Sequence, residues 1–570
     1  MFSEIIWNIK PSSPLAGELA GQAGITPFLA QLLINRGISD KADAGLFLDP
    51  RLAHLPDPML FMDMQKAVSL IIGAIEKGEK ITVFGDYDAD GITATTLLLR
   101  FFSSLGVPAD YYIPDRLGEG YGLNREAVKK IHARGTRLII TVDCGISDSA
   151  EIVLAKDLGM DMVVTDHHKI PENFLPECPV INPHRKGCPF PFKPLSGVGV
   201  AFFLAVAVRG ALRKTGRFEE EPEPDLREYL DLVALGTVAD RVPLMGLNRT
   251  LVKSGIKLIS NSKWPGIRAM IDVSGVKGPE ISGEDIAFKL APRINAPGRI
   301  DDPQMSMEIL NTVDIPIAQK LAVRINAVNN RRQALEKQIL DKAENMIGEQ
   351  GSGQDSRTFI LASEEWHRGV LGIVASKLAE KYHRPVLLFS IEDGIAVGSG
   401  RSIEGFNLYD ALFRIDHLFE KFGGHAMAAG FTINYENLDM LSGELEDLAR
   451  EMLSDDDLIP SLDIDAEVPT ADVGFEMIHQ INELAPFGEG NPEPVLLSRS
   501  MKVVESRVVG QDHLKLTVSK EGRTFEAIGF GMAEMQPLFG EMLDMVFTPQ
   551  INRWQGYESV QLRIVDFIKV

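Results

Sequence analysis

The sequence predicts an α/β protein. A mainly parallel sheet domain is joined by a long helix to a second, smaller α/β domain, and a small β-barrel follows. Three observations predict this. From about residue 64 to 165, amphipathic stretches alternate with short apolar runs, the β-α-β-α order of a parallel sheet with helices on both faces. Residues 314–349 keep a helical period throughout. The last part of the chain carries five short β-like runs and few helical signals.

Taken in order, residues 1–60 form an N-terminal segment with helical pieces such as "ITPFLAQLLINRG", ending at Gly37. Residues 61–313 form the sheet domain. It has helix "MQKAVSLIIGAIEKGEK", strand "ITVF", helix "ITATTLLLRFFSSLG" closed by Gly106, and then strands "ADYYIP", "RLIITV" and "DMVVT". Residues 175–199 read as a long Pro- and Gly-rich loop, and "EPEPD" (221–225) as a second break. Residues 314–350 form the connecting helix. "GSGQDSRT" opens the second α/β domain (351–455), with strands "FILAS" and "PVLLFS" around a helix. It ends near the acidic, turn-prone "LSDDDLIPSLD". Runs such as "HLKLTVSK" and "SVQLRIVDFIKV" then build an OB-like barrel over 456–570.

At 570 residues the chain is too long for a single core. Hydrophobic residues make up 45% and charged residues 24%, ordinary values for a soluble protein. No apolar run reaches the roughly 18–20 residues of a membrane helix, so no membrane partner is expected. The N-terminus lacks the basic and apolar regions of an export signal. Cys144, Cys178 and Cys188 form no C-x-x-C pair and are too few for a disulfide framework, so a reducing cytoplasm is expected. The formal net charge of −22 argues against nucleic-acid binding. Bound divalent cations, however, reverse the sign locally.

The chemistry concentrates at strand ends. Asp86, Asp88 and Asp90 follow "ITVF", Asp143 follows "LIITV", and Asp166, His167 and His168 follow "MVVT". In a parallel sheet those ends share one rim, where ligands bind. Asp240, closing "LVALGTVAD", is a fourth contributor. Oxygen ligands with an occasional histidine suit Mn²⁺ or Mg²⁺. So many carboxylates point to two ions, and a pair about 3.5–4 Å apart can activate a water and stabilise a phosphoryl oxygen together. "DYDADG" also matches the first half of an EF-hand loop, but position twelve would be Leu97 in place of the required Glu. Helix capping would explain any one of these aspartates alone.

Four glycine-containing stretches also stand out. "GSGRS" (398–402) places Gly400, Arg401 and Ser402 together, and "FGGHAMAAG" (422–430) does so with Gly424 and His425. Both read as loops whose backbone N–H groups and arginine could cradle a phosphate. "RINAPGR" (293–299) reads as a tight loop offering Arg299. "SGVGVAF" (196–202) reads as a loop leading into a helix. Arg116, in "IPDRLGEGYG", lies on the same rim as the acids and could complete a clamp for a terminal phosphate, or pair with Asp115 or Glu119.

"DYDADG", "VDCG", "TDHH" and "GTVAD", in this order, resemble the four motifs of the DHH phosphoesterase superfamily. "RINAPGR", "WHRGVLGIVASKL", "GSGRS" and "KFGGHAMAAGF" resemble its DHH-associated domain. "LAPFGEGNPEP" (484–494) resembles the start of the OB-fold in its single-strand-specific exonuclease branch. The resemblance runs from about residue 65 to the end. It implies a 5′→3′ exonuclease of single-stranded DNA acting in repair and recombination, with two Mn²⁺ or Mg²⁺ ions. Asp88, Asp90, Asp143, His167 and Asp240 would be ligands, Asp143 bridging, with Asp86 nearby; His168 would touch the scissile phosphate or support the site. Some superfamily members have a histidine ligand where this chain has Phe84. The strand would lie in a channel between the two α/β domains, too narrow for a duplex, which reconciles the acidic surface with the substrate. The resemblance further implies a monomer, with a RecQ-type helicase and a single-strand-binding protein as partners. A superfamily phosphatase of small nucleotides or pyrophosphate would share the metal motifs but not the C-terminal barrel. A non-catalytic replication scaffold would have lost the ligands kept here.

Overall fold

The computed structural model describes residues 5–116, 118–171, 177–278, 280–349, 356–554 and 556–570. The start of the 175–199 loop and the "GSGQD" opening of the second α/β domain fall outside the described residues.

The first sheet contains β1 (Ile81–Gly85), β2 (Ala109–Tyr112), β3 (Leu138–Val142), β4 (Asp161–Thr165) and β5 (Val180–Ile181). Their order is β2-β1-β3-β4-β5 and every pairing is parallel. The sheet is buried on both faces because its strands alternate between two cores. Val83, Ile140 and Val163 pack with helices α1 (Ala89–Ser104), α2 (Gly197–Lys214) and α3 (Leu230–Ala239). Phe84, Ile139 and Val164 pack against the helices Arg125–Ala133 and Ser149–Asp157. β5 is a strand within the stretch read as a loop; its two residues are too short to carry a periodic signal.

The register carries the functional consequence. Gly85 pairs with Val142, and Val142 with Thr165. Asp86, Asp143 and Asp166 therefore leave the sheet side by side. Strand order reverses between β1 and β3, the switch point at which such sheets bind ligands.

Helix α4 (Ala291–Ile300) corrects the expectation of a tight loop at "RINAPGR": Pro297 sits inside it. The proline lies in the last turn, where its missing N–H removes a single helical bond. Helix α5 spans Ile315–Glu349 and packs one face, including Ala322, Ile325 and Ile339, into the main core. The second sheet contains β6 (Phe359–Ser363), β7 (Val386–Glu392), β8 (Ile395–Arg401), β9 (Phe419–His425) and β10 (Ala428–Asn434), in the order β9-β10-β8-β7-β6. "GSGRS" and "FGGHAMAAG" are thus mostly antiparallel strands, not loops. In β8, Gly400 is a packing requirement: a Cβ there would lie 2.9 Å from Leu408 and 3.1 Å from Phe431.

The C-terminal strands Leu496–Val509, His513–Lys520, Arg523–Gly529, Met542–Trp554 and Tyr557–Lys569 close into a barrel through pairing of the first with the fourth. The N-terminal segment shares the core of this barrel. Leu19, Leu29, Leu33 and Phe47 pack with Leu496, Leu516 and Phe547. Strand Ile6–Ile9 pairs in parallel with Ser461–Ile464, so the acidic stretch ends in a strand. Among the described residues, no single helix is long and apolar enough to cross a membrane.

Candidate metal centre and phosphate cleft

Asp88 ends the turn after β1 as the N-cap of α1, its Oδ1 accepting from the N–H groups of Asp90 (3.0 Å) and Gly91 (3.1 Å). Capping uses one oxygen and leaves the other available. Asp90, in the first turn, is buried. Its two oxygens accept from Gly197 N–H (2.6 Å) and Val198 N–H (2.8 Å), at the N-terminus of α2. The "SGVGVAF" stretch therefore presents a helix N-terminus to this carboxylate, a favourable dipole for negative charge. Gly197 is required there, since a Cβ would lie 2.7 Å from Asp143 Oδ1. The segment carrying Asp88 and Asp90 is held from α4 by Asn295, whose Oδ1 accepts from Ala89 N–H at 2.7 Å.

Asp143 adopts φ +62°, a left-handed conformation that folds its side chain back over the rim. Tyr121 donates to its carbonyl at 3.0 Å. Asp166 is a positioning group. Its carboxylate, fully buried, accepts from the N–H groups of Ile146, His167 and His168 and pairs with His168 Nδ1 at 2.8 Å. Asp240 is the C-cap of helix α3 and so reaches the rim from outside the sheet.

Three sets of ligand atoms each gather within 4.8 Å: Asp86, Asp88 and Asp143; Asp143, His167 and His168; Asp90, His167 and Asp240. His167 Nε2 lies 3.0 Å from Asp143 Oδ1, 3.6 Å from Asp240 Oδ2 and 3.9 Å from Asp90 Oδ2. Buried Asp86 Oδ1, Asp143 Oδ1, His167 Nε2 and Asp240 Oδ2 have no hydrogen-bond partner. Orphaned polar atoms of this kind are costly unless a cation joins them. Burial first, and mutual repulsion second, push the Asp86, Asp143 and Asp240 carboxyls well up, and Asp90 to about 7. Burial and the charge of His168 lower His167 to about 3, leaving its ring neutral and fit to ligate. Burial opposes charging of His168, but its bond to Asp166 and the fields of Asp88 and Asp90 raise it. The donor set of carboxylates with one neutral imidazole fits two hard divalent cations sharing Asp143. Phe84 is buried and stacks on Tyr112 with ring centroids 5.6 Å apart, in the lower core.

Above this centre the arginines converge. Arg299, on α4, is held by burial at about 10, and the charges of Arg116, Arg332, Asp88 and Arg401 act on it. Arg116 lies over the Tyr87 ring at 5.1 Å. Glu119, one of its two expected surface partners, is engaged by Tyr112 and Lys130. Arg401 is lowered by burial and by the charges of Arg116 and Arg241. Its Nη1 donates to Ser399 Oγ at 3.0 Å. A Cβ on Gly372, in the first turn of helix Leu371–Tyr382, would lie 2.9 Å from Arg401 Nη2. Arg401, Ser399 and a helix N-terminus thus form one pocket.

Ser402 does not belong to it. Its buried Oγ donates to the carbonyl of Phe406. Along a strand, neighbouring residues point to opposite faces, so Ser399 shares a face with Arg401 and Ser402 does not. Gly400 and Gly424 do not line a phosphate-cradling loop, since both lie within paired strands. His425, exposed at the end of β9, is lowered by burial and by the charges of Lys169 and His168. Reading the stretch as a loop hid Ser399. The period-two rule, applied to it as a strand, picks Ser399 out.

Three family models match the chain: the DHH family, N-terminal domain, over 80–237; the DHHA1 domain over 355–451; and the RecJ OB domain over 464–566. The chain is 38% identical to the single-stranded-DNA-specific exonuclease RecJ of Bacillus subtilis, covering 99% of this chain and 71% of that protein. It is 37% identical to the Escherichia coli protein of the same name, over 96% of each. The crystal structure of RecJ in complex with Mn²⁺ from Thermus thermophilus matches with TM-score 0.85 at 30% identity, over 99% of this chain and 80% of that one.

Proposed function

The chain belongs to the RecJ family of the DHH superfamily, and from that premise we propose that it is a single-strand-specific DNA exonuclease working from the 5′ end. The observation that carries the chemistry is the set of orphaned, converging atoms on Asp86, Asp143, His167 and Asp240. Asp86, Asp88 and Asp143 would hold one Mn²⁺ or Mg²⁺, and Asp90, His167 and Asp240 a second, with Asp143 shared. Bound there, two cations supply positive charge to phosphoryl oxygens and make a water nucleophilic at neutral pH. Asp166 holds both histidines through three bonds and is itself tied to Ile146 by a fourth. With His168 Nδ1 turned to Asp166, Nε2 is the ring atom left for the scissile phosphate. Its raised affinity for a proton suits donation to that anion.

The 5′ polarity rests on Arg401, Ser399 and the N-terminus of helix Leu371–Tyr382, with Arg116 and Arg299 facing them. A terminal phosphate held there stops the strand one nucleotide beyond the metal centre. The arginines also supply a local positive field in a chain of net charge −22. Action as a monomer in cytoplasmic DNA repair and recombination, beside a RecQ-type helicase and a single-strand-binding protein, fits such an activity.

Digestion of 5′-labelled and 3′-labelled single strands and duplexes, with Mn²⁺, Mg²⁺ or EDTA, tests the proposal. Release of 5′-labelled mononucleotide from single strands alone, abolished by EDTA, is expected. Early release of the 3′ label, or equal cutting of duplex, overturns it.

A further inference from the structure

Arg241, directly after Asp240, is the feature that the metal centre and the 5′ pocket leave unexplained. It holds φ +62° at the position after the C-cap of α3, where helices commonly end in the left-handed conformation. Its side chain is 76% exposed. Its ion pair is with Glu489, at 3.9 Å, itself half exposed. Such a pair contributes little.

The backbone around Arg241 is nevertheless firmly set. Leu244 N–H donates to the carbonyl of Glu489 at 2.7 Å, joining the segment after Asp240 to the turn that leads into the barrel. Asn491 locks that turn, its Nδ2 donating to the carbonyls of Leu484 and Pro486 and its Oδ1 accepting from Arg36 Nε at 2.7 Å. Gly490, at φ +67°, lies so near that a Cβ would be 2.9 Å from Pro243. Arg241 thus projects from a rigid backbone mount. Arg241 directly follows Asp240 at the metal centre, and its charge acts on Arg401 of the second α/β domain.

We infer that Arg241 grips a backbone phosphate of the bound strand beside the metal centre, exchanging its weak contact with Glu489 for that phosphate. The inference rests on reading the cleft as a single-strand site. A guanidinium one residue from a metal ligand can hold the phosphate bidentately without displacing a cation. The barrel-side turn serves as its mount, so that the C-terminal module takes part in substrate grip at the centre.

Anisotropy titrations of labelled single strands in EDTA test this, with either a 5′-phosphate or a 5′-hydroxyl and over a range of salt. Arg241→Ala and Arg241→Gly should weaken binding about tenfold at low salt and flatten the log–log salt dependence by about 0.7, the increment of one phosphate on single strands. The loss should be equal on both 5′ ends, and both variants should keep the wild-type rise in melting temperature on adding Mn²⁺. An unchanged salt slope overturns the inference. So does a loss confined to 5′-phosphorylated strands, which would place Arg241 in the 5′ stop, or loss of the Mn²⁺ response, which would mean that Asp240 has moved. Failure of the wild-type chain itself to bind single strands overturns instead the reading beneath it.

Discussion

His167 Nε2 lies 3.0 Å from Asp143 Oδ1, yet neither atom makes a hydrogen bond. Two atoms that each sit about 2.1 Å from one octahedral cation, at right angles, are separated by about 3 Å. The spacing is that of two ligands of one ion, and it joins the strand end carrying Asp143 to the next one along the sheet.

Asp143→Asn should therefore separate stability from catalysis. Asparagine tolerates φ +62° as well as aspartate does. Its neutral amide also removes repulsion within a buried cluster. Without metal, the variant should melt at or above the wild-type temperature, while its rate falls roughly a thousandfold or more. Near-normal turnover would remove Asp143 from the centre.

The cluster also sets a pH dependence. Asp90 is raised to about 7 in the fold against 3.8 as its ordinary value, and Asp86, Asp143 and Asp240 shift the same way. A raised carboxyl stabilises the fold fully below its unfolded value, and that contribution is lost as pH rises through the folded one. His167 is lowered to about 3, so its contribution is present above 6.5 and is lost only as pH falls. Between pH 5 and 8 the carboxyls dominate. The metal-free chain should lose stability across that window, and the rise in melting temperature on adding Mn²⁺ should grow, since cations replace those protons. Calorimetry with and without Mn²⁺ checks this; a metal-induced rise that is flat with pH would contradict it.

Ser399 and Ser402 give opposite expectations from neighbouring positions. Arg401→Ala and Arg116→Ala should each weaken kcat/KM on 5′-phosphorylated strands by about 1.5–3 kcal/mol, and Ser399→Ala by about 1 kcal/mol, with smaller losses on 5′-hydroxyl strands. Ser402→Ala should leave kinetics unchanged and lower stability by about 1 kcal/mol, through its lost bond to Phe406. Equal losses on the two 5′ ends would place the stop elsewhere.

Arg249 ties three parts of the chain together. It is 1% exposed, and it donates to the carbonyls of Phe47, Leu484 and Glu483 from the N-terminal segment and the C-terminal module. Its guanidinium lies 3.8 Å from the centroid of the Phe47 ring. Arg249→Met keeps the bulk but takes the guanidinium donor from the carbonyls of Phe47 and Glu483, while Leu484 keeps its bond from Asn491, and should cost about 3 kcal/mol in denaturant unfolding. A change below about 0.5 kcal/mol would show that the junction opens to water.

The sequence by itself determined the parallel sheet, the long helix, the terminal barrel and the acids at the strand ends. Each is written in a local period, and a parallel register delivers strand ends to one rim whatever surrounds them. Only tertiary structure decided which distant groups meet there. The N–H groups of Gly197 and Val198 come to Asp90 from the start of another helix, and Asp240 arrives from the end of a third. Glycine-rich stretches read as loops became strands, because glycine leaves the backbone choice open and pairing partners far along the chain made it. That pairing put Ser399 in the pocket in place of Ser402. Arg241 likewise looks ordinary until a turn that begins some 240 residues later fixes its backbone. Short-range preferences are energetically small and summed locally, whereas burial of charge and pairing of strands are settled between segments that meet only in the folded chain.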